Sequence, residues 1–555
     1  MKLRHSNLQR LESRVFDVLV VGGGINGAVS ACALSAQGAS VALIDRNDFA
    51  GFTSQHSSNL VWGGIKYLET GELGLVTKLC ASRNRLLRAY PSSVREVRFF
   101  ASIEEGFRHS RFVLYLGALL YWVIGRFFTQ RPRLLSRADI SREEPCIAPL
   151  GPGGFEYSDA YLVDNDARFV FNFIRGALDH GAIAANYVNA LSSVRDTQGL
   201  WITRVRDEET GREWNVRSRL LINAAGPYVD EVNARDGEDS RHEHRFSKGV
   251  HLIVDRITPH NRVLTFFADD GRLFFVIPLG PKSCIGTTDT RVDQLPPRVT
   301  EEDRQFILDN VNKRLRLTKP LTEADIIAER CGVRPLAVSK DKHGNGGNGA
   351  DWMALSRKHV VEHSQHDMRI SIFGGKLTDC LNVGNEICDA AHELGIALPQ
   401  RGRCWYGEPE DSVRDEFFHQ AEKMGLDTLT ARESSEVLST RLWRRYGAAA
   451  LGLLDQIRQD PSMAEVLIAG TEYIRCELHH AAQREMVTKL ADFLRRRSKI
   501  ALIARPEQIR EAPGLLEACE ILFGPAAQQK LDEYFGCRAV TASAPPPRAA
   551  GSSLS

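Results

Sequence analysis

The stretch Asp17 to Ser30, DVLVVGGGINGAVS, constrains this chain more than any other. Val18 to Val21 read as a short buried strand, and glycines follow at Gly22, Gly24 and Gly27. A tight strand-to-helix turn needs a residue without Cβ at Gly22. A diphosphate approaches the backbone only where Gly24 is bare, and Gly27 lets the helix lie close on the strand. The helix N-terminus then offers unpaired N–H groups and partial positive charge to the diphosphate. Such a glycine pattern also occurs in ordinary turns, so its context decides. Here a helical stretch runs to Gln37, Gly38 stops it, and a second strand, SVALID, ends in Asp45. That is the distance at which an acid meets a ribose 2′-hydroxyl. The reading is an α/β dinucleotide-binding fold, and the acid argues against a 2′-phosphorylated nucleotide.

A chain of 555 residues exceeds what one core usually serves, so two or three domains are expected. A formal net charge of +1 gives no general attraction to nucleic acid, and none is expected as a partner. The basic runs RLWRRYG and LRRRSK lie at helical spacing and read as solvated faces or phospholipid contacts. Eleven cysteines occur singly, with no CxxC, which suits a reducing compartment and argues against disulfides or zinc. The N-terminus, MKLRHSNLQRLESR, has no apolar segment of the secretory kind, so a cytoplasmic location is expected. One stretch complicates this. FVLYLGALLYWVIG, Phe112 to Gly125, carries no charge and is flanked by Arg108, Arg111, Arg126, Arg131 and Arg133. A spanning helix needs roughly 20 apolar residues. This shorter one reads either as a buried core helix or as a segment in a membrane interface.

The organisation is interleaved. Residues 1–14 read as an N-terminal tail. Nucleotide-binding segments fall at about 15–91, 160–240 and 355–400, and substrate or cap segments at about 92–159 and 241–354. The run SRLLINAAGPYVDEV is a buried strand entering a small-residue turn at Ala224, Ala225 and Gly226, bare enough to press against a cofactor. From Lys248 to Asp289 the alternating HLIVD, RLFFVIPL and SCIGTTD suit an antiparallel sheet over a ligand. Ser339 to Trp352 reads as a glycine- and asparagine-rich flexible loop. Residues 401–538 read as an all-α domain, and 539–555 as a disordered tail.

In order along the chain stand VVGGGINGA, SSNLVWGGIKYLE, GFEYSDAYLVDNDAR, NAAGPYVD, KGVHLIV, IGTTD, GVRPL, FGGKLTD and LADFLRRRSK. Through these motifs the sequence resembles the FAD-dependent, quinone-linked glycerol-3-phosphate dehydrogenases over nearly its whole length. The resemblance implies α/β with an α+β insertion. It comprises a Rossmann-like FAD domain of the glutathione-reductase and D-amino-acid-oxidase type, an antiparallel substrate domain and a helical C-terminal domain. It also implies FAD as cofactor, sn-glycerol 3-phosphate as small-molecule substrate, quinone as acceptor and peripheral contact with the inner face of the membrane. Oxygen as acceptor and a homodimer both stay open.

Oxidising a secondary alcohol requires hydride departure to flavin N5 while a base takes the hydroxyl proton. A phosphate dianion calls for cations, Arg as a planar fork and Lys as a point charge. The resemblance gives Arg334 and Lys376 to the substrate, His251 to the base, and Lys66 and Tyr67 to substrate holding. It gives Gly22, Gly24, Asn26, Gly27, Asp45, Ser57, Ser58, Val188, Ala225, Gly226, Gly374, Gly375 and Thr378 to the flavin. The pairs His359/His363 and His242/His244 have metal-like spacings, but sit in charged, loop-like sequence and read as surface histidines, so no metal is expected.

Departures from the family pattern fall on the substrate side. Where the family usually reads Lys-Leu-Ile-His-Gly-Gly-Leu-Arg-Tyr, this chain reads NLVWGGIKY, so Asn59 replaces a lysine, Trp62 a histidine and Lys66 an arginine. Where the family continues Gly-Gly-Lys-Leu-Thr-Thr-Tyr-Arg, this chain has GGKLTDCL, so Asp379 enters and an arginine leaves. Two cations fewer and one anion more work against a dianion, at a cost of roughly several kcal/mol in a low-dielectric pocket. Three functions follow: the dehydrogenase itself, a paralogous flavin oxidoreductase for another small alcohol, hydroxy acid or amine, and a catalytically silent flavoprotein that binds partners.

Overall fold

A computed structural model describes residues 2–148, 151–269, 271–340, 358–432 and 434–543, with side chains to 536. The loop expected over Ser339 to Trp352 and the tail expected at 539–555 lie largely outside the described residues.

Strand Val15–Val21 is apolar and buried from Val18 onward, and a strand of that composition needs neighbours on both edges. It has them: Val41–Ile44 on one side and Glu213–Asn223 on the other, both parallel. The sheet continues to Ile183–Ala185 at one end and to Arg369–Phe373 and Val360–Ser364 at the other. Helix Ile25–Ala36 leaves the central strand and is buried on nearly every face between helices Asp166–Asp179 and Cys380–Glu393. Its Ala, Ser and Gly side chains permit that close approach. The residues expected to be a tail form helix Leu3–Ser13 instead. Leu11 and Asn7 are buried, and Asn7 donates to the Ala184 carbonyl at 2.8 Å.

A second, ten-stranded sheet draws on Leu60–Val61, Val94–Ile103, Gly153–Leu162 and the strands between His242 and Ser339. Its longest pairing joins His242–Asp255 antiparallel to Ala328–Ser339, with His251 opposite Arg330 and Ser247 opposite Arg334. Because side chains alternate along a strand, His251, Gly249, Arg330, Gly332 and Arg334 share one face.

From Asp411 onward the described elements are helices apart from an isolated bridge between Val466 and Ile474. The basic runs expected on solvated faces are buried instead. Arg444 and Arg445 meet Asp164 at 2.6 and 2.8 Å, and Arg496 and Arg497 meet Asp48 at 2.6 and 2.9 Å. Asp48 follows strand Val41–Ile44 of the first sheet, and Asp164 lies just before helix Asp166–Asp179, which packs on the glycine-loop helix. Buried guanidiniums are tolerable only when paired, so these arginines weld the helical region to the first sheet.

Candidate active site

The glycine loop, the end of the second strand and the Ala224–Gly226 turn wall a cavity of about 320 Å³. Gly22 adopts φ +105°, and a Cβ there would stand 2.4 Å from the Ala224 carbonyl oxygen; at Gly27 it would stand 1.8 Å from that of Gly22. These contacts require glycine. Asp45 accepts from the Gly23 N–H at 2.7 Å and the Asn47 N–H at 2.8 Å. Burial outweighs both bonds and pushes its carboxyl up to about 6. Gly22, Gly24, Asp45, Ala225 and Gly226 all line the cavity. Val188 only donates its N–H to the Asp45 carbonyl at 2.8 Å, and its side chain is in the core; Asn189, Ala190 and Leu191 form the wall. Sequence reasoning missed Arg46, which lies 3.8 Å over the ring of Tyr228, and Phe52, 5.2 Å from the same ring. An aromatic directly after the AAGP turn is the signal that points to them. A larger cavity of about 960 Å³, against the C-terminal helices, shares none of these lining residues.

Asn26, in the first turn after the loop, donates to the Gly374 carbonyl at 3.0 Å. The Gly374 N–H donates to His244 Nε2 at 3.0 Å, and His244 Nδ1 faces Asp230 at 2.8 Å. His244 is therefore a buried strut and not a surface residue. Gly374 and Gly375 take φ of +65° and +111°, the left-handed conformations that let this turn close on the glycine-loop helix. Ser57 donates its N–H to Asp166 at 2.8 Å, and Thr378 donates to the Trp62 carbonyl at 3.4 Å.

Lys376 follows the turn, with Nζ 2.7 Å from Tyr67 Oη and 4.3 Å from the ring centre. The Trp62 ring lies 6.2 Å from that of Tyr67, and its Nε1 donates to Tyr157 Oη at 3.3 Å. Lys66, on the same short helix as Tyr67, is exposed to solvent. Arg334 lies flat over Gly249, where a Cβ would stand 2.4 Å from Nη2. Its guanidinium donates to Asp289 at 2.9 Å and Thr287 at 3.2 Å. His251 is buried with neither ring nitrogen hydrogen-bonded among the described groups. Burial first, then the charges of Arg334 and Arg330, push it down to about 3. The imidazole is neutral and its nitrogens are unclaimed among the described groups, so it can accept a proton once the neighbouring positive charge is offset.

Asp379, the acid expected to oppose a dianion, is already neutralised. It takes hydrogen bonds from Ser82 at 2.9 Å and Asn382 at 2.6 Å, and faces His359 Nδ1 at 3.0 Å and Lys78 at 3.4 Å. His359, expected at the surface, is buried between this carboxylate and Glu386, 2.7 Å from its Nε2. Hydrogen bonds to the two carboxylates overcome burial and raise His359 to about 9, so it is an imidazolium at neutral pH. Among the described residues no group of three or more His, Cys, Asp or Glu is arranged to hold a metal.

The family model of the FAD dependent oxidoreductases matches residues 17–378. The chain belongs to the FAD-dependent oxidoreductase family. A second model, the C-terminal domain of alpha-glycerophosphate oxidase, matches residues 411–529. An aerobic glycerol-3-phosphate dehydrogenase of Staphylococcus haemolyticus is 28% identical over 513 residues, covering 88% of each chain. One of Staphylococcus aureus is 28% identical over 511 residues with the same coverage. Among solved structures, the glycerol-3-phosphate dehydrogenase of Bacillus halodurans complexed with FAD aligns at TM-score 0.71 and 25% identity, covering 96% of this chain and 97% of that one. The L-alpha-glycerophosphate oxidase of Mycoplasma pneumoniae shares the fold, at TM-score 0.54 and 16% identity over 71% and 98%. This FAD-dependent oxidoreductase has a site that fits its family's cofactor. Two glycines sit where a Cβ would collide, the cavity leads along bare backbone, and the buried Asn26 Oδ1 has no hydrogen-bond partner among the described residues.

Proposed function

We propose that this chain oxidises sn-glycerol 3-phosphate to dihydroxyacetone phosphate. The observation that carries the reading is the grouping of Lys376 with Tyr67, beside the turn that closes on the glycine-loop helix, together with Arg334 and a neutral His251 on one sheet face. The curated relatives that align over most of the chain are named for this substrate. Bound FAD supplies the hydride acceptor, its N5. Gly22, Gly24, Gly27, Ala225 and Gly226 would hold the diphosphate end, Asp45 with the wall of Asn189, Ala190 and Leu191 the adenosine end, and Asn26, Ser57, Ser58, Gly374, Gly375 and Thr378 the ring end.

The remaining work belongs to the side chains. Arg334 meets phosphate oxygens with its planar fork, and Lys376 adds a point charge kept in place by Tyr67. His251 takes the hydroxyl proton on a ring nitrogen. An arriving dianion offsets the two guanidiniums that depress His251, so substrate binding raises the imidazole's proton affinity when the proton must move. Lys66 joins the phosphate by turning inward from solvent.

Helix Arg111–Ile124 supports quinone as acceptor and a peripheral seat on the inner face of the membrane. Phe112, Val113, Leu116, Leu120 and Val123 are 47 to 62% exposed on one side, while Ala118 and Tyr121 are buried on the other. Arginines 108, 111, 126 and 131 flank the apolar face, an arrangement suited to an anionic interface. No described helix is long and apolar enough to cross a membrane. The inner side of the helix packs in the same cluster as Trp62 and Tyr67, so an apolar acceptor leaving the bilayer would arrive near the substrate site. The test is an assay with a soluble dye or with quinone in anionic vesicles. Leu116→Glu with Leu120→Glu keeps dye reduction and loses vesicle binding and quinone reduction; retained vesicle binding contradicts the membrane reading, and no dihydroxyacetone phosphate from the native enzyme contradicts the substrate.

A further inference from the structure

Arg330 lies where the sequence showed only a missing cation. It is fully buried and stands directly opposite His251 on the paired strands. Its Nη1 donates to the Ser57 carbonyl and, at 2.8 Å, to Asn59 Oδ1. Asn59 is held at φ +61° with its own amide nitrogen on the carbonyls of Leu162 and Asp164. Asp166 stands 3.9 Å from the same guanidinium and also accepts the Ser57 N–H. Among the described residues the other two Arg330 nitrogens have no hydrogen-bond partner, and neither do His56 Nδ1 or the two His251 nitrogens. Buried donors without acceptors call for an explanation. Here they cluster on the sheet face that carries Arg334.

We infer that Arg330 supplies the buried positive charge that position 59 lacks, pinning the Ser57–Asn59 turn and keeping His251 neutral as a proton acceptor. Asn59 can only accept from this cation, so the charge reaches the turn from the facing strand. Arg330 is a positioning residue: it acts through His251 and through the turn. The charged and titratable groups around the imidazole are Arg330 and Arg334 on the facing strand, Asp166 beside Arg330, Asp289 paired with Arg334, His56 on the turn, and Arg495 behind His56. Removing the Arg330 charge leaves Arg334 already tied to Asp289, so His251 must become easier to protonate.

The inference rests on the reading of His251 as base, and the experiment keeps the two apart. Histidine-labelled holoprotein is titrated by NMR, with His251→Asn identifying the signal, for the native chain, Arg330→Gln and Arg330→Lys. Gln keeps a donor for the Ser57 carbonyl without charge; Lys keeps the charge without the fork. The expected result is a native His251 signal that stays neutral to the lowest pH the fold tolerates. In Arg330→Gln protonation begins at least about one pH unit higher, a tenfold change in proton affinity, and in Arg330→Lys it stays near native. A Gln variant that titrates like the native chain overturns the inference. Should the Gln variant not fold, the Lys variant decides: an unmoved titration supports the inference, and an upward shift with the charge retained overturns it. The signal requires no turnover, so an enzyme inactive on glycerol 3-phosphate would sink the substrate reading while leaving this result interpretable.

Discussion

Asn26 and Gly374, 348 residues apart in sequence, are joined by a 3.0 Å hydrogen bond from the Asn26 amide to the Gly374 carbonyl. The bond ties the first turn of the glycine-loop helix to the turn that carries Lys376. A shift at one end is therefore felt at the other. Asn26→Leu leaves the Gly374 carbonyl unpaired in a buried place, a cost of about 1–3 kcal/mol. The expected outcome is a chain that folds but releases FAD on gel filtration, with KM for substrate raised. Unchanged flavin content would show that the latch is dispensable.

Gly22→Ala and Gly27→Ala should each abolish FAD retention. At Gly22 the new Cβ meets the Ala224 carbonyl in a left-handed backbone conformation, and at Gly27 it meets the Gly22 carbonyl. Backbone cannot give way as a flexible side chain does. Flavin absorbance per mole of purified protein checks this, and stoichiometric flavin in either variant would contradict the loop geometry.

His359 makes stability fall in alkaline solution. Its folded value of about 9 lies above the ordinary 6.5. The stabilisation is therefore complete below about pH 6.5 and is lost progressively as pH rises toward about 9, on the order of 3 kcal/mol in all. Urea unfolding at pH 6 and pH 9 measures it. His359→Gln should lack most of this loss, and an equal loss in both proteins would place its origin elsewhere.

Lys376→Met should raise KM for glycerol 3-phosphate by about 30- to 100-fold, the loss of one charge-assisted contact of about 2–3 kcal/mol. Tyr67→Phe removes only the hydroxyl beside Nζ and should cost about tenfold. Steady-state kinetics with a dye acceptor separate the two. A Tyr67→Phe variant as impaired as Lys376→Met would make the hydroxyl itself a substrate ligand.

The first sheet and its glycine loop were legible because their requirements are local: a buried strand, three bare positions and an acid at the next strand's end. The N-terminal helix was not, since Leu3–Ser13 is polar overall and is held by long-range contacts such as Asn7 to Ala184. His244 and His359 looked superficial because their sequence neighbours are charged. The carboxylates that bury them, Asp230, Asp379 and Glu386, come from other elements. The same holds for Arg444, Arg445, Arg496 and Arg497, each of which meets an acid, Asp164 or Asp48, hundreds of residues away in sequence. Arg330 escaped notice because a cation's worth depends on which strand it faces, and pairing register is not written in the local sequence.

Anaerobic mixing of the purified holoenzyme with sn-glycerol 3-phosphate tests the central claim most directly, with the flavin's visible absorbance as the signal. Rapid bleaching, with dihydroxyacetone phosphate formed in equal amount to the flavin reduced, is the predicted result. Flavin that stays oxidised with this substrate while dithionite reduces it would contradict the claim and turn attention to Trp62 and Lys66 as marks of a different alcohol, hydroxy acid or amine.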